Sequence, residues 1–341
     1  YDAYGADTTL KREWILGDVL HSRPLILHYS ATRTVIFAGG NDGILHAFEN
    51  SDGSELWGFV PPDALKYLSD LTSGSAHPYF IDGSPKAYIK DYNGNGVLDA
   101  SEGDQVILIF GERRGGRPIQ SLTCLDGIPV QRGSYYALDV TNPNVPVLLW
   151  RIGPPLLDLD ADLTSIDINS VFSSCEMGET WSDPVIGRVK IAGVDRYLFF
   201  VGGGYDETSQ DLVPQSTDSK GRALFAFDVF TGQKVWEYSK TTSVDSDAGG
   251  TKDNMTYAIA SQVTLVDSDG NRYIDRVYVG DLGGQLWRFD VANNDTSNWT
   301  GKILFKSNPG ADSSSGRKIF FPPDYVQEVG YDVLFFGTGD R

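Results

Sequence analysis

The sequence predicts an all-β chain folded as a modified β-propeller, and three observations predict it. Helical periodicity is almost absent, and short β-rich runs alternate with clusters of Gly, Asn, Asp and Pro. A strand ending in glycine recurs along the chain. Each of its first four copies leads into a strand that closes on an aromatic residue or Leu and then an acid, with a tryptophan beyond it. Units of this kind cannot bury their apolar faces alone, so neighbours must stack around an axis.

Taken in order, the first unit has strands at 35–40, ending in Gly39 and Gly40, at 45–49, ending in Phe48 and Glu49, and at 56–59 around Trp57. A short helical turn is expected over 64–71, with Asp63 near its start. The second unit repeats the pattern at 107–111, 136–139 and 149–151, closing on Gly111, Asp139 and Trp150. The third does so at 197–203, 225–228 and 235–238, with Gly202, Asp228 and Trp236. In the fourth, Gly280 and Asp290 keep their places, but Trp299 stands before its strand at 302–305. A fifth unit reaches its glycine-ended strand at 334–337. The acids Glu49, Asp139, Asp228 and Asp290 stand further apart than the ~40–50 residues of an ordinary blade, which implies long insertions between strands. Residues 1–341 are read as a single propeller domain, a piece of a longer chain or an open ring, with no signal peptide in view at Tyr1.

Composition narrows the function classes. Hydrophobic residues make up 40% of the chain, enough for a substantial core. Against 28 Lys and Arg stand 46 Asp and Glu, a formal net charge of −18. Such a chain is repelled by a phosphate backbone, which disfavours nucleic acid as a partner, and it suits binding of divalent cations. No apolar run approaches the ~20 residues that span a bilayer as a helix. Cys124 and Cys175 are the only cysteines, and no nearby histidine completes a zinc ligand set. Two free thiols and a disulfide both fit their polar, loop-like surroundings.

Two segments carry metal-ligand spacing. Asp91, Asn93 and Asn95 supply oxygens at positions 1, 3 and 5 of a twelve-residue EF-hand calcium loop. Gly96 allows the turn at position 6, Val97 offers its carbonyl at 7, Asp99 binds directly or through water at 9, and Glu102 closes the shell with two oxygens. Leu98 is the apolar peg. Asp267, Asp269, Asn271, the Tyr273 carbonyl and Asp275 repeat positions 1, 3, 5, 7 and 9, with Ile274 as the peg. Here Arg272 replaces the turn glycine and no glutamate closes the loop, so weaker calcium affinity is expected. The plain alternative in each case is a solvated acidic turn between strands. Both segments fall between the first and second strands of their units, where units one and three carry only short connections at 29–34 and 193–196. Two accidents would not be expected to choose the same place.

Other patterns carry less chemistry. Asp158, Asp160 and Asp162 lack a turn glycine and a closing acid, and Asp245 and Asp247 also read as solvated acids. The three glycines at 202–204 precede no helix, which disfavours phosphate binding. His46 sits inside a repeat strand and reads as core or channel lining. No nucleophile-elbow or zinc-protease motif appears, and nothing argues for an enzyme.

Three segments resemble a known family. They are the run from Gly40 through Asn41, Asp42, Gly43, Ile44, Leu45, His46 and Ala47 to Phe48, followed by Trp57-Gly58-Phe59-Val60-Pro61-Pro62; Tyr135-Tyr136-Ala137-Leu138-Asp139-Val140-Thr141; and the stretch from Asp267 through Gly284-Gln285-Leu286-Trp287-Arg288-Phe289-Asp290. Together they resemble the C-terminal propeller of PilY-type proteins, the type IV pilus biogenesis factors and tip-associated adhesins. The resemblance implies a modified propeller whose 267–275 loop is the family's calcium site, regulating pilus extension against retraction. It implies a protein exported to the pilus tip or cell surface, partnered by minor pilins or the tip complex and by host or abiotic surfaces, and supporting twitching motility. The complete loop at 91–102 is not carried over from the family. The rival classes are a quinoprotein-like propeller dehydrogenase, whose frequent adjacent cysteines are missing here, and an extracellular scaffold that uses calcium only for stability.

Overall fold

In the computed structural model, which describes residues 16–72, 77–116, 133–153, 176–210, 217–240, 255–307 and 317–339, the four full repeats become four antiparallel four-stranded sheets. Unit one is β1 (Leu25–His28), β2 (Thr34–Gly39), β3 (Leu45–Glu49) and β4 (Glu55–Phe59). Unit two is β5 (Lys86–Lys90), β6 (Gln105–Gly111), β7 (Tyr135–Asp139) and β8 (Val147–Ile152). Unit three is β9 (Val185–Ile191), β10 (Val194–Gly202), β11 (Ala223–Asp228) and β12 (Lys234–Ser239). Unit four is β13 (Thr264–Val266), β14 (Arg276–Gly280), β15 (Gln285–Asp290) and β16 (Thr300–Lys306). The fifth unit contributes a hairpin, β17 (Asp324–Glu328) with β18 (Tyr331–Phe335). The expected helical turn is a 3-10 segment over Leu65–Thr72.

Side-chain alternation explains why the strands read as unbroken apolar runs. Successive residues of a strand face opposite sides of its sheet. In β6, Val106, Leu108 and Phe110 pack with Phe37, Leu45 and Ala47 of unit one. Ile107 and Ile109 of the same strand pack with Phe199, Phe225 and Phe227 of unit three. On β10 and β11 the partners Leu198, Phe200, Leu224 and Ala226 turn the other way, onto Val277, Trp287 and Phe289 of unit four. The sheets of units two and three are thus buried on both faces, and each of these three core clusters is a seam between two consecutive units.

The recurring residues hold these seams. Trp57 Nε1 donates to the Pro143 carbonyl at 2.8 Å and Trp150 Nε1 to the Val229 carbonyl at 2.9 Å, each reaching a turn of the next unit. In units two and three the acid closing strand three is a turn cap: Asp139 Oδ1 accepts from the Thr141 N–H at 2.9 Å, and Asp228 Oδ1 from Phe230 and Thr231 at 3.0 Å. The glycine closing strand two faces the segment that leads into the next unit. A Cβ on Gly39 would lie 2.5 Å from the Ile81 carbonyl, one on Gly202 2.2 Å from the Ile259 carbonyl, and one on Gly280 2.2 Å from Ile319 Cγ2. At Gly337 nothing lies within 4 Å. The lead-in segments of all five units, through Arg23, Ser84, Asp183, Gln262 and Pro323 among others, converge on a cavity of about 1120 Å³.

His46 is core, as expected, held at Nε2 by Asp42 at 3.1 Å and at Nδ1 by Glu55 at 2.7 Å. The connection in unit three is tighter than the sequence suggested: β9 and β10 are joined by Ala192 and Gly193 alone, with φ of 49° and 78°. Paired positive φ values are those of the two-residue turn that matches strand twist.

Candidate metal centre

Both candidate loops lie where the sequence placed them, between the first and second strands of units two and four. They also share one backbone path over their first seven positions. In the first loop, Asp91 Oδ1 accepts from the Gly94 N–H at 2.7 Å and Asp91 Oδ2 from Gly96 at 2.8 Å. Asn93 Oδ1 accepts from Asn95 at 2.9 Å, and Asn95 Oδ1 from Val97 at 2.7 Å. In the second, Asp267 Oδ1 accepts from Gly270 at 2.8 Å and Asp267 Oδ2 from Arg272 at 2.6 Å. Asp269 Oδ1 accepts from Asn271 at 3.1 Å, and Asn271 Oδ1 from Tyr273 at 2.7 Å. Positions 4 and 6 are left-handed in both: Gly94 and Gly96 have φ of 72° and 77°, Gly270 and Arg272 have 77° and 72°. Arg272 therefore takes the conformation of the glycine it replaces, against the preference of an L side chain.

The loops close differently. In the first, Glu102 Oε2 accepts from both Asn93 Nδ2 and Asn95 Nδ2, at 2.7 and 2.8 Å, so the closing carboxylate faces positions 3 and 5. Asp99 caps the short 3-10 turn Ala100–Glu102, and the N–H of Ser101 holds its carboxyl below the ordinary value. Asp104, buried and outside the twelve-residue pattern, ties both ends by accepting from the N–H groups of Tyr92 and Asp99 at 2.7 and 2.8 Å. In the second loop Asp275 does this work itself: its Oδ2 accepts from the Ser268 N–H and hydroxyl at 2.7 and 2.8 Å.

One carboxylate oxygen each from Asp267, Asp269 and Asp275 lies within 4.8 Å of the others, the one such group of three His, Cys, Asp or Glu among the described residues. The carboxylates of Asp91, Asp99 and Glu102 are not gathered in this way. Burial pushes the Asp267 carboxyl up, but the N–H groups of Arg272, Gly270 and Asn271 outweigh it and hold the group below its ordinary value. Three anions this close repel one another, and a divalent cation offsets that repulsion. The donors are all hard oxygens, with the Tyr273 carbonyl next in the loop, which is the chemistry of calcium rather than of a thiolate- or imidazole-bound metal.

The pegs act as expected, and each also bonds the preceding unit. Leu98 packs into the seam of units one and two while its N–H donates to the Tyr29 carbonyl at 2.9 Å. Ile274 packs into the seam of units three and four while its N–H donates to the Arg188 carbonyl at 2.8 Å. Cys124 and Cys175 lie outside the described residues, as do Asp158, Asp160, Asp162, Asp245 and Asp247. No helix among the described residues is long and apolar enough to cross a membrane.

Residues 27–328 match the family model of the PilY1 beta-propeller domain. A type IV pilus biogenesis factor PilY1 homolog of Xylella fastidiosa is 29% identical over 77% of this chain and 14% of its own length. The type IV pilus biogenesis factor PilY1 of Pseudomonas aeruginosa is 25% identical over 96% of this chain and 27% of its own. The chain thus spans little more than a quarter of these curated relatives at most. The crystal structure of the Pseudomonas aeruginosa PilY1 C-terminal domain superposes with a TM-score of 0.57 at 23% identity, covering 91% of this chain and 53% of that one, a likeness of fold.

Proposed function

Because the chain belongs to the PilY1 β-propeller family, we propose that it is a calcium-binding propeller of a type IV pilus biogenesis factor, in which calcium at 267–275 biases pilus extension against retraction. On this reading it works at the pilus tip or cell surface, with minor pilins or the tip complex and host or abiotic surfaces as partners, and supports attachment and twitching motility. The observation that carries the calcium reading is the convergence of Asp267, Asp269 and Asp275. The pilus assignment draws on the relatives, which are named as biogenesis factors rather than as enzymes.

The 91–102 loop is the second site, with Glu102 as its closing ligand. Its longer ligand set gives it the higher affinity, while 267–275 falls in the ~10⁻⁵–10⁻³ M range, where occupancy follows ambient calcium. Calcium titration by calorimetry tests this on the wild type, Glu102→Ala and Asp275→Ala. The wild type should bind two ions; Glu102→Ala should weaken the tighter step at least about tenfold, and Asp275→Ala should abolish the weaker one. A single step untouched by Asp275→Ala would overturn the assignment of 267–275.

A further inference from the structure

The two loops match through position 7 in backbone but not in what the position-7 side chain does. Val97 is 43% exposed. Tyr273 crosses the seam into unit three and is held there from three sides. Its hydroxyl donates to Asp195 Oδ1 at 2.8 Å. The Arg188 guanidinium lies 4.6 Å and the Lys190 ammonium 4.9 Å from its ring centre. Arg188 in turn donates to Asp195, and Lys190 Nζ stands 3.9 Å from the same carboxylate. All three charged groups sit on the β9–β10 hairpin, one turn away from Ala192 and Gly193. The next residue of the loop, Ile274, donates its N–H to Arg188 and fills the space over Gly187, where a Cβ would lie 2.6 Å from Ile274 Cγ1.

Resting on the reading that 267–275 binds calcium, we infer that the β9–β10 hairpin is the element through which this loop reports its occupancy, with Tyr273 as the coupling residue. The physical reason is that one residue serves two parts: its carbonyl holds position 7 of the calcium-loop pattern, a ligand position, and its side chain reaches the neighbouring unit. Opening of the hairpin releases Tyr273, and a released Tyr273 withdraws a ligand. Loss of the ion and opening of the hairpin are then linked, and linkage is reciprocal. Calcium at ten times its dissociation constant suppresses a linked opening about tenfold.

Hydrogen exchange with and without calcium, alongside calorimetry on the same chain, tests the link. In the wild type the amides of β9 and β10 should exchange about tenfold more slowly once calcium reaches ten times the measured dissociation constant. Tyr273→Leu keeps the carbonyl ligand, so it should still bind calcium, but the slowing should be confined to the loop. Tyr273→Phe keeps the ring between Arg188 and Lys190 while losing the Asp195 bond, and should retain part of the effect. Calcium binding with unchanged exchange in β9 and β10 would overturn the coupling and leave the calcium site standing. No calcium heat at 267–275 would overturn both, and slowing that survives in Tyr273→Leu would overturn the role of the tyrosine.

Discussion

At the scale of single residues, Arg272 has the sharpest consequence. It occupies the turn-glycine position with φ of 72°, where an L side chain costs about 1 kcal/mol. Its cationic side chain also lies in the loop that gathers Asp267, Asp269 and Asp275. Arg272→Gly should therefore raise stability by roughly 0.5–1 kcal/mol in urea unfolding and tighten calcium binding as well. Arg272→Ala removes the charge but keeps the left-handed strain, so it should tighten binding without the stability gain. Equal unfolding midpoints for the glycine variant and the wild type would show that the turn is not strained. The departure at Arg272 was legible in the sequence, because the calcium-loop pattern names the residue type required at position 6. Asp104 was not, since it lies beyond the twelve residues and acts by accepting two backbone N–H groups. The pattern also hides the side chain of Tyr273, because at position 7 it asks only for a carbonyl.

At the scale of elements, the recurring glycine had a visible position and an invisible cause. Strand two of each of the first four units ends in glycine, and at Gly39, Gly202 and Gly280 the contact that demands it comes from the lead-in of the following unit, far along the chain. Pattern reading finds the repeat because the period is in one unit; it misses the partner because Ile259 or Ile319 belongs to the next. Gly280→Val should push methyl groups into Ile319 and destabilise the chain by about 2 kcal/mol or more. Gly337→Val, at a site with nothing within 4 Å, should change the stability of the same chain by less than about 0.5 kcal/mol. Similar losses from both would show that the glycines serve backbone conformation rather than close approach. The unbroken apolar runs have a similar explanation. A sheet with one wet face alternates, whereas β6 and β10 each send alternate residues into two different seams.

At the scale of the whole molecule, the proposed ion site at 267–275 is in contact with the units on both sides of its own. The 267–275 loop is bonded on one side to unit three through Tyr273 and Ile274. On the other, Gln327 Nε2 of β17 donates to the Ser268 carbonyl at 2.9 Å, and Arg276 at the foot of the loop pairs with Asp332 of β18. Three units meet at one loop, so on the proposed calcium reading its charge state would bias their relative packing. The charge at position 275 is the means to separate ion binding from this output. Asp275→Ala removes an anionic ligand and should abolish binding at the loop. In cells that still assemble the protein, it should behave as if calcium were absent, shifting pilus extension against retraction and with it twitching motility. Asp275→Lys also loses the ion, but it sets an ammonium beside Asp267 and Asp269 and offsets part of the repulsion that the ion offsets. It should resemble the calcium-bound state at least in part, so the two variants should move motility in opposite directions. Measuring calcium-responsive twitching and surface pili in both decides between regulation and stability. If each variant loses the ion by calorimetry yet keeps normal, calcium-responsive motility, the loop is a structural staple and the regulatory reading falls.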